Sequence, residues 1–139
     1  MSSANLELVR SIYTARESGD FSSADWACPE IEYVVADGPN PATFVGLAEM
    51  ARGNRELLSP WQDVSLVVDD YRELDDERVL VLLRFDLRGK TSGLEIDARW
   101  TRGADLVEVV EGRVTRLVKY FNRDQAFADL RLTPENEAR

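Results

Sequence analysis

Histidine is absent from this 139-residue chain. That single omission removes imidazole general bases, Ser-His dyads and His-ligated metals together. Only one cysteine is present, Cys28, so no internal disulfide can form. A lone thiol fits a reducing compartment, and a cytoplasmic location is the expectation. Long apolar runs are missing too. The longest, Val79 to Leu83, is far short of the ~20 residues a membrane span needs. The opening Met-Ser-Ser-Ala-Asn lacks the charged-then-apolar layout of a signal peptide. Basic residues are the minority, 17 against 26 acidic, for a net charge of −9. An acidic chain with no basic stripe repels phosphate backbones, so neither nucleic acid nor an anionic membrane is an expected partner. The carboxylates are scattered without metal-ligand spacing, and no metal or other cofactor is expected.

What is present suffices for a core. Apolar residues make up 44% of the chain, with three Trp, four Tyr and five Phe. The length is that of one domain, which we place at residues 1–132, followed by a polar tail, 133–139, that should fray.

The first half reads as helical and punctuated. Leu6, Val9, Ile12 and Tyr13 recur at helical spacing, with Asn5 as a candidate N-cap and Gly19 as a stop. Ser22 or Ser23 can cap a short second helix through Trp26, which Pro29 ends. Ile31 to Asp37 reads as a strand, broken by Gly38-Pro39-Asn40-Pro41. A third helix is predicted over Leu47 to Leu58, closed by Pro60, with Gly53 lowering its helicity.

From Asp63 the apolar period changes to two. Strands are predicted at about 62–74, 78–88, 94–110 and 113–121, joined by short turns into an antiparallel meander. A last helix should run from Asp124 to Leu130. Opposite charges favour the register Lys90–Glu95, Arg88–Asp97, Asp86–Arg99 between the middle strands. Trp100 is apolar at an even position, whereas Val107 and Val109 are odd. A bulge near Gly103 would reconcile the two phases.

The stretch Asp105-Leu-Val-Glu-Val-Val-Glu-Gly112-Arg-Val-Thr-Arg-Leu-Val-Lys-Tyr-Phe-Asn-Arg-Asp124, together with Asp37 nine residues before Gly46, resembles the SnoaL-like branch of the nuclear transport factor 2-like superfamily. The resemblance spans residues 5 to 132. It implies an α+β fold, a curved antiparallel sheet wrapped as a cone around helices in the order α-α-β-α-β-β-β-β-α. It also implies an apolar cavity for a small carbonyl-bearing molecule, and a homodimer packed through the outer sheet face. Members with activity include cofactor-free polyketide cyclases and ketosteroid isomerases, while others only bind ligands or partners.

Asp105 is the first candidate for chemistry. The resemblance turns it toward the cavity, where a carboxyl in apolar surroundings is disfavoured as an anion and could act as acid or base. The bland alternative is a structural or solvated Asp. Asp37 matches the position of the isomerases' proton-shuttling Asp, although an Asp before Gly-Pro reads more simply as a turn residue accepting its own backbone N–H groups. Tyr13 could donate to an oxyanion, but counting back from Gly19-Asp20 puts Ile12 where the isomerases place their Tyr, and a core tyrosine is the preferred reading. Tyr33 and Val35 share the phase of Asp37. Asn54 stands where related enzymes put a cavity polar group, and Trp100 and Phe121 are the aromatics expected to wall the pocket, with Val107 and Leu117 on alternate positions of the last two strands.

The last hairpin leaves two registers open. A two-residue turn at Glu111-Gly112 pairs Asp105 with Val118 and puts Arg116 on its face. A three-residue loop pairs Asp105 with Leu117 and makes Lys119 its diagonal neighbour, which the resemblance favours. A basic neighbour argues for an ion pair rather than a neutral donor. Epoxide hydrolases of this fold carry an Asp where Lys119 stands here, so epoxide hydrolysis is not expected.

Overall fold

The computed structural model describes residues 4–17, 25–37, 41–58, 61–89 and 101–132. Within them the chain runs α1 (Ala4–Glu17), β1 (Ala27–Val35), β2 (Ala42–Val45), α2 (Leu47–Leu58), β3 (Trp61–Glu73), β4 (Arg78–Gly89), β5 (Thr101–Val110), β6 (Arg113–Tyr120) and α3 (Arg123–Leu130). Six strands form one sheet in the order β2-β1-β6-β5-β4-β3. The meander from β3 to β6 is antiparallel as predicted. The sheet as a whole is mixed, because β1 lies parallel to β6.

The run Val79 to Leu83 shows why β4 is unbroken by polar residues. All five side chains are buried, but they alternate between two cores. Val79, Val81 and Leu83 join the inner core with Val9, Ile12 and Tyr13 of α1. Leu80 and Leu82 join the outer core with Ala126 and Phe127 of α3. A strand covered on both faces needs apolar side chains at consecutive positions, since the strand period sends neighbours to opposite sides. The centre of the outer face is thus covered by α3. What α3 leaves half-buried on that face is a row of charge, Glu32, Arg116 and Glu108, one residue from each of β1, β6 and β5.

Several expectations change. Ala42–Val45 forms a short edge strand paired with β1, although Pro41 and the breakers before it hid it. β1 begins at Ala27 and contains Pro29. The proposed second helix falls mostly on residues outside those described, and Asp25 and Trp26 form a turn. Asn5 lies inside α1 and not at its cap. Its side chain instead donates to the Asp76 carbonyl at 2.7 Å, tying α1 to the β3–β4 turn. Gly53 has a packing reason: a Cβ there would lie 2.7 Å from the Phe44 ring, so glycine lets α2 close onto β2. The predicted bulge near Gly103 is not found, since β4 and β5 pair without a shift from Arg78↔Glu108 to Phe85↔Thr101. Trp100, the charge register of residues 90–99 and the tail 133–139 lie outside the described residues. Among the described residues no helix is long and apolar enough to cross a membrane.

Candidate functional site

The position of Asp105 follows from one extra residue. Glu111 and Gly112 both have positive φ, 52° and 81°, as a two-residue hairpin turn requires. Val110 accordingly pairs with Arg113 and Val109 with Val114. Left uninterrupted, that register would set Asp105 against Val118. From Glu108↔Arg116 onward the pairing is one residue further along, leaving Thr115 as a bulge, and Asp105 pairs with Lys119. Neither of the two registers considered from sequence is therefore correct. The turn is the two-residue one, and the bulge moves Lys119 directly opposite Asp105. The same shift turns Arg116 outward, where it pairs with Glu32 at 3.0 Å and Glu108 at 3.1 Å.

Register then builds a row on the inner face: Val35 on β1, Lys119 on β6, Asp105 on β5 and Val81 on β4. Beneath it runs Tyr33, Leu117, Val107 and Val79. Helix α1 crosses above. It is fixed at one end by Asn5 and at the other by Glu17, whose carboxylate accepts the Val68 N–H at 2.8 Å. Between these anchors the Tyr13 hydroxyl donates to Asp105 Oδ2 at 2.5 Å, and Lys119 Nζ donates to Asp105 Oδ1 at 3.2 Å. Asp105 and Tyr13 are completely buried and Lys119 is 6% exposed. Removing a carboxylate from water is costly unless opposite charge and hydrogen bonds replace the solvent. Here each oxygen has a donor from the chain itself. Among the described residues no buried side-chain nitrogen or oxygen lacks a partner.

Burial pushes the Tyr13 phenol well above its usual range, and the negative charge of Asp105 pushes it further, with Arg16 opposing. Tyr33 is likewise raised, first by burial and then by Asp105, again against Arg16. Both phenols are therefore neutral donors across the physiological range. The Arg16 guanidinium lies 5.5 Å from the centre of the Tyr13 ring and 5.5 Å from that of Trp26.

Tyr33, Val35, Val107 and Leu117 are all buried in the inner core, and Phe121 packs half-buried against it. Tyr13 does more than fill space, since it is the hydrogen-bond partner of Asp105. Asp37 sits apart from this group. Its two oxygens accept the backbone N–H groups of Phe121 at 2.6 Å and Asn122 at 3.1 Å. It is a backbone acceptor for residues 84 and 85 positions away, and the turn that follows it, 38–40, lies outside the described residues. Asn54 lies on α2, its side chain outside the described set. Sequence reasoning missed Arg16 altogether. Its spacing of three from Tyr13 on one helix face was the available signal.

No protein-family model matches the sequence, and no curated protein matches it significantly. Solved structures do. One is TerC co-crystallised with polyporic acid, 18% identical over 92% of this chain and 98% of the other, with a TM-score of 0.71. Another is a nuclear transport factor 2-like protein of unknown function from Burkholderia pseudomallei, 18% identical over 91% and 97%, TM-score 0.70. The fold is nuclear transport factor 2-like. A protein from a Jannaschia species assigned as a SnoaL-like polyketide cyclase superposes at TM-score 0.64, 15% identical over 84% of each chain. These likenesses carry the nuclear transport factor 2-like architecture, an α+β fold of helices on one curved mixed sheet, and leave the reaction to the site itself.

Proposed function

We propose that this protein binds a small, largely apolar, carbonyl-bearing molecule as a binding or accessory protein and not as a proton-transfer catalyst. One observation carries the reading: both oxygens of Asp105 are occupied by Tyr13 and Lys119, and the residue has no solvent exposure. A general acid or base has to reach the atom it serves. This carboxylate already holds one buried tyrosine and one buried lysine in place. The triad fixes α1 to the sheet and so shapes the wall against which a ligand would lie. A homodimer belongs to the same proposal, seated on the charged part of the outer face that α3 leaves open.

The competing reading is a cyclase or isomerase in which Asp105 works after exchanging partners, with Asp37 as second group. Thermal-shift screening of polyketide-like and steroid-like compounds separates the two. It is run on the wild type and on the double variant Asp105→Asn/Lys119→Met, which keeps the shape and removes both charges. Binding without catalysis predicts that a stabilising compound is recovered unchanged after incubation, and that the double variant still binds it. A compound converted by the wild type, but bound and left intact by the double variant, overturns the proposal in favour of proton transfer.

A further inference from the structure

The two end strands of the sheet, β3 and β2, are finished differently. On β3 the Val68 N–H goes to Glu17 at 2.8 Å and the Tyr71 N–H to Asp70 Oδ1 at 2.9 Å. A register shift between Val68 and Asp70 leaves Asp69 as a bulge, and Asp70, Arg72 and Glu73 carry charge along the same strand. Side-chain caps, bulges and charges keep an edge from pairing with another chain.

β2 has none of these within Ala42–Val45. The Gly46 N–H donates to the Ile31 carbonyl at 2.8 Å, and the Ala36 N–H donates to the Lys119 carbonyl at 2.9 Å. Odd-numbered residues of β1 therefore bond toward β2 and even-numbered ones toward β6. Since Phe44 is opposite Tyr33 and Ala42 opposite Val35, Ala42 and Phe44 face β1. Thr43 and Val45 then turn their N–H and C=O groups off the end of the sheet. Both are exposed, Val45 at 57%, and Leu47 just beyond is exposed as well. No charged residue stands between Asp37 and Glu49. In a chain of net charge −9, this is where two copies meet with the least repulsion.

We propose that β2 docks on β2 of a second copy, antiparallel, across a two-fold axis at Phe44. The symmetry sets Thr43 of each copy against Val45 of the other, the arrangement in which opposite residues exchange both hydrogen bonds. Phe44 points to the inner core, so these β-branched side chains meet on the outer face as cross-strand pairs. With the β3 edge capped, the contact closes at two copies. It is independent of the binding role and of the outer-face dimer proposed above.

Hydrogen exchange read residue by residue on the full chain tests this. Four residues a side cover less than the roughly 1,000 Å² of a stable interface, so the dissociation constant should be about 0.1 mM. From about 10 μM to about 1 mM, the Thr43 and Val45 amides should slow roughly fourfold, while Phe44 is protected throughout. Added salt should strengthen the effect by screening the repulsion between acidic copies. Val45→Pro removes an outward donor, keeps the bonds to β1, and should abolish the concentration dependence at Thr43. Thr43→Glu should abolish it at Val45, Thr43→Val should retain it, and this pair decides the matter if Val45→Pro does not fold. Thr43 and Val45 amides that exchange alike at both concentrations overturn the inference, and any self-association then belongs to the outer face. Protection that persists in Thr43→Glu, or that salt weakens, also overturns it. An unrelated extended peptide that protects these amides at lower concentration than the protein itself overturns the second copy as the occupant.

Discussion

Replacing Lys119 by Met takes the ammonium from Asp105 and changes little else about the packing. The carboxylate then sits completely buried, with Tyr13 as its one remaining donor among the described residues. Breaking one side of a buried ion pair costs about 3–5 kcal/mol, because the remaining charge is stranded away from water. Domains of this kind hold only about 5–15 kcal/mol in total. At about 4 °C per kcal/mol for a domain of this length, the midpoint should fall by roughly 12–20 °C. The second half of the cycle is Asp105→Leu/Lys119→Met. Replacing both charges by apolar side chains ranges from neutral to a gain of about 1–4 kcal/mol. It also leaves the Tyr13 hydroxyl without its acceptor, at about 1–3 kcal/mol. The double variant should therefore stand near wild type and well above Lys119→Met, and adding Tyr13→Phe should recover the hydroxyl's share. Urea unfolding of wild type, Lys119→Met, Asp105→Leu and the double variant gives the coupling directly. A Lys119→Met protein within about 1 kcal/mol of wild type, or a double variant less stable than the single, refutes the argument that Asp105 and Lys119 form one compensated unit.

Gly53→Ala should destabilise by about 1–3 kcal/mol despite the better helix propensity of alanine, because its Cβ meets the Phe44 ring at 2.7 Å. Phe44→Leu in the same protein should relieve part of that loss in thermal melts. The four tyrosines should resist ionisation together: Tyr13, Tyr33 and Tyr71 are raised by burial, and Tyr120 is pushed up to about 12 by burial and its bond to Asp129. A folded value above the unfolded one means stability is intact below about pH 10 and is lost as pH rises toward the folded value. Tyrosinate absorbance should thus appear with cooperative unfolding, and a simple titration centred near 10 on the intact fold would contradict it. Arg123 reaches Asp69 at 2.9 Å and the carbonyls of Leu83 and Gly103 at 2.9 and 3.2 Å. Arg123→Met should speed amide exchange in α3 while leaving β4 and β5 protected, and Arg123→Lys should restore little of it because the fork is lost.

Local rules accounted for most of the elements. The bounds of α2 and the β3–β6 meander were legible because Leu47, Met50 and the alternating apolar residues after Asp63 announce their own periods. The run Val79–Leu83 was visible but not its meaning, since a strand buried on both faces reads the same as any apolar run. β2 was hidden because four residues behind Pro41 carry too little pattern to stand against the breakers beside them. The resemblance turned Asp105 inward and favoured Lys119 as its neighbour, although through a different register. The bond of Asp105 to Tyr13 was not anticipated.

Composition alone removed histidine chemistry and disulfides, and charge alone set the sign of the surface, since neither depends on how the chain folds. Period and turn residues located the helices and strands, because backbone preferences act over a few residues at a time. The contents of the site were decided elsewhere. Tyr13 and Asp105 are 92 residues apart in the chain, and no local preference relates them. Lys119 faces Asp105 only because Thr115 adds one residue to β6 after the turn. In a strand of period two, that single insertion exchanges every side chain between faces. It sends Lys119 inward and Arg116 outward, so the charge beside the buried carboxylate is a property of the paired sheet and not of either strand.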